Sequence, residues 1–201
     1  MTDSSLGVLV IPIAFSSSCA TGSGSTTYTT PSYTQSALNT MLTGSGAAAG
    51  SLSLSSMFSS CSFNKSKLSS GSTVAPIVTL GCSGKIYGNS WRSSACTSAD
   101  YVGWADAADL AVLAQFDIDP NSYDYISYIV PRETQCSWTL GSSAYLGCDG
   151  SFACRSWIVY NGSTMSTQQS LMRVLGNNLY LADAYSVSSV GCVVGKGENH
   201  C

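Results

Sequence analysis

The amino-acid sequence predicts a mixed α/β (α+β) fold in a single domain. Three segments carry this prediction. Residues 7–15 form a near-continuous apolar run, which is typical of a strand buried on both faces. Residues 100–116 place apolar side chains at helical spacing. Residues 123–130 are aromatic and β-branched, as in a strand. Strands and helices therefore follow one another along the chain.

The N-terminal half holds the first strand and a more irregular stretch. Residues 16–31 are rich in Ser, Thr and Gly without periodicity, and they are expected to form an exposed loop. Residues 32–42 could form a short helix that ends in a flexible break over residues 44–50. Residues 74–80 are predicted to form the next strand.

The C-terminal half begins with the clearest helix. Asp100 is a candidate N-cap for residues 100–116, and Pro120 lies in the break after them. The strand over residues 123–130 ends at Pro131. The remaining predicted elements are strands over residues 138–147 and 154–160, joined by the loop 148–154, and a helix over residues 167–182.

Composition excludes two classes of partner. The chain has 201 residues, enough for one domain with a real core, and its net charge of −3 leaves no basic surface for nucleic acid. No apolar stretch reaches the roughly 18 residues that a membrane span needs. Charged residues make up only 9%, whereas Ser makes up roughly a fifth. This balance suits a secreted, glycosylated or tightly assembled protein.

The cysteines indicate an oxidising compartment. They are scattered, they form no C-x-x-C pair, and only one His could join them in a metal site. A disulfide framework is therefore favoured over zinc binding, with Cys82–Cys96 and Cys192–Cys201 as candidate local pairs. The odd count leaves one thiol free or bonded elsewhere. The nine candidates are Cys19, Cys61, Cys82, Cys96, Cys136, Cys148, Cys154, Cys192 and Cys201.

Two triplets are acceptors for N-glycosylation. Asn64 begins Asn-Lys-Ser, and Asn161 begins Asn-Gly-Ser. Together with the cysteines they predict an extracellular location.

The segment 173–183 has the frame of a zinc-protease helix. Periodicity alone would make it part of an ordinary amphipathic helix. The matching residues are Leu175, Gly176, Asn178, Leu179, Tyr180 and Leu181, which fit the pattern H-E-L-G-H-N-L-Y-L-x-H without a gap. With the family-like block 147–158 upstream, the chain resembles the gametolysin family, the secreted zinc metallopeptidases of green algae that degrade cell-wall glycoproteins.

The residues that carry the chemistry of that family differ here. Arg173, Val174, Asn177 and Asp183 stand where the resemblance places His, Glu, His and His. Arg173 has no lone pair for a metal, and Val174 cannot accept a proton from water. We therefore predict no catalytic residue and no cofactor, although the family uses zinc.

The resemblance also implies the architecture. It predicts a metzincin-like N-terminal subdomain, in which a twisted mixed sheet packs against helices and a degenerate zinc helix closes the unit. It makes residues 51–60 helical, where their Ser content leaves helix propensity indecisive. Residues 1–201 are expected to form one (pseudo)peptidase domain without the C-terminal part that carries the Met-turn.

The altered helix suggests a specific contact. Arg173 could replace the metal by bridging to Asp183, and also to Asn177. Alternatively, Arg173 and Asp183 face solvent. A separate group of acids, among them Asp106 and Asp109, is interpreted as solvated turn residues because its spacing follows no calcium-loop pattern.

These observations favour a catalytically inactive gametolysin-like homologue. Such a pseudoenzyme would act as an extracellular structural or binding module of a cell wall, matrix or surface assembly. Its partners would be extracellular or surface glycoproteins, or further copies of itself. The alternative is an active extracellular metallopeptidase whose site is completed by further sequence or by a partner chain.

Overall fold

The computed structural model describes residues 4–21, 27–46, 52–138, 141–148, 153–160, 162–179, 193–195 and 198–200. Its helices are α1 (Gln35–Thr43), α2 (Leu54–Cys61), α3 (Ser98–Phe116) and α4 (Thr164–Asn178). Its strands are β1 (Ser4–Leu6), β2 (Val8–Phe15), β3 (Ser66–Leu68), β4 (Thr73–Val74), β5 (Val78–Leu80), β6 (Ser83–Ile86), β7 (Asn89–Arg92), β8 (Tyr125–Val130), β9 (Ser142–Ala144), β10 (Cys154–Val159), β11 (Val193–Gly195) and β12 (Glu198–His200).

The main sheet of the described residues has six strands in the order β4-β2-β8-β10-β9, with β5 also paired to β2. All neighbours in it are parallel except β9, which runs antiparallel to β10 at one edge. The pairs β1–β3, β6–β7 and β11–β12 lie outside this sheet. The prediction of a mixed α/β (α+β) fold is confirmed, and the architecture agrees with a metzincin-like domain.

Strand β2 shows why the sheet lies between two layers of helices. All eight of its residues are buried. Because successive side chains of a strand point to opposite faces, Leu9 and Ile11 pack with Trp104 of α3 in one core. Val8 and Val10 pack in the other core with side chains of α1, α2 and α4. We call these the α3-side core and the α4-side core.

Helix α3 begins earlier than predicted. Its N-cap is Thr97, whose hydroxyl accepts a hydrogen bond from the backbone N–H of Asp100. Asp100 is the third residue of the helix, and its carboxylate accepts from the backbone N–H of Thr97 at 2.9 Å. The predicted N-cap role of Asp100 is therefore wrong, because the two residues form a reciprocal capping box.

Other elements also differ from the predictions. Residues 74–80 form two short strands, β4 and β5, because Pro76 between them has no backbone N–H to donate. Only Ser142–Ala144 of residues 138–147 is a strand. The predicted exposed loop 16–31 carries the buried side chains of Cys19 and Tyr28. Helix α4 starts at Thr164, before the predicted start at residue 167.

Three disulfides link the described residues: Cys19–Cys82, Cys96–Cys136 and Cys148–Cys154. The candidate pair Cys82–Cys96 is wrong. Cys19 follows β2 and Cys82 follows β5, and these strands are parallel neighbours, so their carboxyl ends bring the two thiols together.

The three remaining cysteines form no disulfide that the structure describes. Cys61 is unpaired and exposed, so its candidacy as a disulfide partner fails within the part of the chain that the structure describes. Cys192 and Cys201 lie outside the described residues. The three bridges indicate that the chain folds in an oxidising compartment.

Candidate functional site

Helix α4 carries Arg173, Val174 and Asn177, which the resemblance aligns with a zinc helix, and it lies next to the antiparallel edge strand β9. The N-cap of the helix is Ser163, whose side chain accepts a hydrogen bond from the N–H of Ser166. Leu171, Val174 and Leu175 then form an apolar stripe at helical spacing that packs into the α4-side core. This stripe fixes the rotation of the helix, and it turns Arg173 towards β9.

Three hydrogen bonds join α4 to β9 and to the chain that follows β9. The guanidinium of Arg173 donates to the hydroxyl of Ser142 at 2.8 Å. The side-chain amide of Asn178 donates to the carbonyl of Tyr145 at 2.9 Å. The backbone N–H of Gly147 donates to the carbonyl of Asn177 at 2.9 Å. The C-terminal half of α4 is thus held to the edge of the sheet by direct protein contacts.

Val174, which the resemblance places at the family's catalytic Glu, is buried. Its exposed fraction is 0%. It packs with Leu171 and Leu175 in the α4-side core, away from solvent. An alkyl group in this place can neither bind a metal nor take a proton from water.

Arg173 is partly buried and hydrogen-bonded, so it does not simply extend into solvent. Asp183 lies outside the described residues, and the predicted bridge between Arg173 and Asp183 stays a prediction. What the structure adds is a different anchor for the guanidinium, the hydroxyl of Ser142.

The described part of this helix face does not fit zinc. Zinc sites in proteins use imidazole, thiolate or carboxylate ligands. Arg173 is a permanent cation, Val174 is apolar, and the amide of Asn177 is a poor ligand. Among the described residues, no three His, Cys, Asp or Glu side chains lie close enough together to hold a metal ion. The absence of a zinc cofactor is itself untested and stays a prediction.

A second polar group lies on the other face of the sheet, where α3 crosses β8 and β10. Arg155 of β10 forms ion pairs with Asp106 and Asp109 of α3, each at 2.7 Å. The hydroxyl of Tyr128 on β8 donates to the second oxygen of Asp109 at 2.8 Å. We call these four residues the Arg155 network.

Burial shapes the protonation of the Arg155 network. Burial raises the pKa of Asp109, although Arg155 and the hydrogen bond from Tyr128 oppose this shift. Burial also raises the pKa of Tyr128 well above its ordinary value, and the negative charge of Asp109 adds to the shift. Burial alone would lower the pKa of Arg155, but Tyr128 and Asp109 raise it overall. The guanidinium therefore stays charged, and it holds α3 against the sheet.

The interpretation of the acids as solvated turn residues is wrong for Asp106 and Asp109. They lie three residues apart on α3, so both point at the same strand, and their side chains are only 11% and 17% exposed. No local pattern could indicate this contact, because Arg155 is 46 residues further along the chain than Asp109.

A turn role holds for Asp119, whereas Asp124 joins two segments that are distant in the chain. Asp119 caps the 3₁₀ turn Pro120–Ser122 by accepting from the N–H of Asn121. Asp124 accepts from the N–H of Gly7 at 2.7 Å, which fixes the start of β2 beside β8.

One glycosylation acceptor can be placed. Asn64 is exposed in the turn that follows α2, with φ of 62°. Its side-chain oxygen accepts from the hydroxyl of Ser59 at 2.6 Å. Asn161 lies outside the described residues. Exposure is compatible with modification of Asn64, which stays a prediction.

The comparisons with known proteins agree with this geometry. The model of the family Gametolysin peptidase M11 matches residues 8–184. No curated protein and no solved structure matches the chain. None of the described helices is both long and apolar enough to cross a membrane. Because the family match extends from β2 through α4 and covers most of the chain, the chain belongs to the gametolysin peptidase family.

Proposed function

We propose that this chain is a catalytically inactive gametolysin-family protein that serves as an extracellular structural or binding module. In this role the peptidase fold is kept and the reaction is lost. The partners would be extracellular or surface glycoproteins of a cell wall or matrix, or further copies of the chain.

The observation that carries the proposal is the burial of Val174. The residue in this position must reach a metal-bound water in order to act as general base. Val174 is instead completely buried among Leu171 and Leu175. Restoring chemistry would therefore require a carboxylate within the α4-side core, where an unpaired charge is strongly unfavourable.

The hydrogen bonds between α4 and β9 support the same reading. A metal normally cross-links the parts of the chain that supply its ligands. Here the guanidinium of Arg173 reaches Ser142, and Asn178 reaches Tyr145, so direct protein contacts join the helix to the edge strand. The fold then has a way to hold this region without zinc.

The low charge of the chain supports a role in an assembly. Only 9% of its residues are charged, so its surface polarity depends largely on Ser and Thr hydroxyls. Uncharged hydroxyl surfaces can be buried against glycans or proteins without the desolvation cost of ions.

The second candidate is an active metallopeptidase whose ligands come from a partner chain or from sequence beyond this one. The family match to a peptidase favours it. It requires the added segment to supply both metal ligands and a base, since Arg173 and Val174 supply neither.

Metal content and proteolysis decide between the two candidates. The purified chain is dialysed against zinc, its metal content is measured by mass spectrometry, and cleavage of gelatin and of cell-wall glycoprotein is assayed with and without chelator. We expect substoichiometric zinc and no chelator-sensitive cleavage. Stoichiometric zinc together with chelator-sensitive cleavage would contradict the proposal.

A matched variant shows that the assay can detect a site. Arg173→His with Asn177→His places two imidazoles one helical turn apart on α4. We expect this double variant to take up more zinc than the parent chain, and to remain without peptidase activity because Val174 is unchanged.

A further inference from the structure

The turn that follows α2 holds an aromatic residue in a backbone conformation that aromatic residues rarely adopt. The N–H of Lys65 donates to the carbonyl of Ser62 at 3.0 Å and closes a turn of four residues. Its two central residues have positive φ, 52° at Phe63 and 62° at Asn64, as in a type I′ turn. Asn is well suited to this conformation, whereas a bulky side chain at positive φ is a strained exception. The placement of Phe63 therefore calls for a reason beyond the turn itself.

Neighbouring hydrogen bonds fix the turn, so its strain is held and not relaxed. The hydroxyl of Ser62 donates to the carbonyl of Ser66 at 2.9 Å and accepts from the N–H of Ser66 at 3.0 Å. The N–H of Asn64 donates to the carbonyl of Ser59 at 2.7 Å. Phe63 is 86% exposed and belongs to neither core. An apolar ring held in water is stabilising only when something covers it.

Asn64 indicates what covers the ring. It begins the triplet Asn-Lys-Ser, an acceptor for N-glycosylation. Its side-chain oxygen accepts from the hydroxyl of Ser59 at 2.6 Å, which orients the amide. Its Nδ2, the atom to which an N-linked glycan is attached, forms no hydrogen bond within the described ranges. The amide is thus held by its oxygen while its nitrogen stays available.

The first sugar of such a glycan would lie beside the ring of Phe63. Consecutive Cα atoms are only about 3.8 Å apart, and the sugar is bonded directly to Nδ2 of Asn64. A pyranose presents a face of C–H groups, which carry small positive charges and are attracted by the negative face of an aromatic ring. Because both residues belong to one fixed turn, no loop has to become ordered before the two rings meet.

We propose that Asn64 carries an N-linked glycan and that its first N-acetylglucosamine packs on the ring of Phe63. Phe63 then fixes the base of the glycan, and the sugar removes the ring from water. The proposal rests on the extracellular location contained in the proposed function. It is independent of the state of α4.

Occupancy of Asn64 is tested by mass spectrometry of glycopeptides. The chain is secreted from cultured eukaryotic cells that make only oligomannose glycans, with Asn161→Gln in every variant so that Asn64 begins the one remaining acceptor triplet. We expect a glycan on Asn64. A secreted chain without a glycan there would overturn this proposal, whereas the loss of catalysis would still be decided by the metal and proteolysis assays.

Thermal unfolding before and after glycan removal measures the contact with Phe63. The parent chain and Phe63→Ala are each compared with and without the whole glycan, which a peptide N-glycosidase removes. We expect the melting temperature to fall by about 2–4 °C more in the parent chain, the shift that a contact of aromatic-pair strength gives in a chain of this size. The enzyme deamidates Asn64 in both chains, so that change cancels in the comparison. Equal falls in the two chains would refute the packing on Phe63.

Two controls separate this contact from other effects of a glycan. An endoglycosidase that leaves the first N-acetylglucosamine on Asn64 should preserve the melting temperature of the parent chain, and a fall as large as after full removal would contradict the proposal. Tyr87→Ala is the matched variant, because Tyr87 is an aromatic residue with 78% exposed and φ of 50°, but is followed by Gly88. We expect glycan removal to affect this variant as it affects the parent chain.

Discussion

Arg155 is the residue on which the charge balance between α3 and the sheet depends. It is the common partner of Asp106 and Asp109, both of which are largely withdrawn from water. Removing one member of a buried ion pair leaves an uncompensated charge, which costs more than the pair itself contributes. The four residues therefore act as a unit.

We expect Arg155→Met to lower the free energy of unfolding by about 3 kcal/mol at neutral pH. The reason is that Asp106 and Asp109 lose their cation while the apolar stem is kept. The measurement is urea denaturation followed by tryptophan fluorescence. Arg92→Met is the matched control, because Arg92 is exposed.

The pH dependence of this variant has a definite sign. Burial already raises the pKa of Asp109 in the folded chain, and loss of Arg155 raises it further. A raised carboxyl pKa favours the protonated form in the fold, so the added instability appears as pH rises above the ordinary value of 3.8. A destabilisation that persisted undiminished below that value would contradict this explanation.

The sequence could predict which residues of the candidate site share helix α4, but not what those residues contact. The gapless frame around Leu175 and Gly176 located Arg173, Val174 and Asn177 on one helix, because helical spacing is local. The contact of Arg173 with Ser142 crosses 31 residues of chain, so no local pattern could indicate it. The same holds for Asn178 and Tyr145.

The packing of the hairpin β6–β7 against α3 depends on two glycines, which leave room for an indole ring. Trp91 of β7 lies between Gly84 of β6 and Gly103 of α3. A Cβ added to Gly103 would lie 2.5 Å from the Trp91 side chain, and one added to Gly84 would lie 2.7 Å from it. The indole thus fills the space that two glycines leave, and it holds the hairpin against α3.

We expect Gly103→Ala to destabilise the fold by about 1–3 kcal/mol through this overlap. The sign is informative, because the same change in an open helix would stabilise it by about 1 kcal/mol. Thermal unfolding by circular dichroism measures it. Gly71→Ala is the control, since its Cβ would meet nothing nearer than the Ser69 hydroxyl at 3.9 Å. A rise in melting temperature in Gly103→Ala would refute the packing argument.

The elements with strong periodicity were predicted over most of their length, whereas the short ones were predicted with wrong bounds or not at all. Residues 7–15 keep an apolar run over the length of a strand, and residues 100–116 keep helical spacing of apolar side chains over several turns. Strand β9 takes up only three residues of the predicted strand 138–147, and β3, with the residues Ser-Lys-Leu, is too short to show a hydrophobic pattern. Their positions are set by pairing with β10 and β1, which is tertiary information.

On the scale of the whole molecule, buried phenols make the fold sensitive to alkali. Burial raises the pKa of Tyr28 to about 12, with the charge of Glu133 adding to it. Burial also raises the pKa values of Tyr33 and Tyr128. In each case the fold favours the neutral phenol.

The free energy of unfolding should therefore fall as pH rises above 10, the ordinary tyrosine pKa, and continue to fall towards about 12. Below pH 10 these phenols should contribute no slope. The measurement is urea denaturation across this range, performed in Cys61→Ser so that the exposed thiolate cannot attack a disulfide. A smaller slope in Tyr28→Phe would confirm the cause, and an unchanged slope would contradict it.

The burial of Val174 has a consequence for any attempt to engineer a metal site on α4. Val174→Glu alone would place a carboxylate in the α4-side core, among Leu171 and Leu175, without an imidazole beside it to bind a metal. The single variant would therefore be less stable than the parent chain, and a general base would have to be introduced together with a repacking of this core.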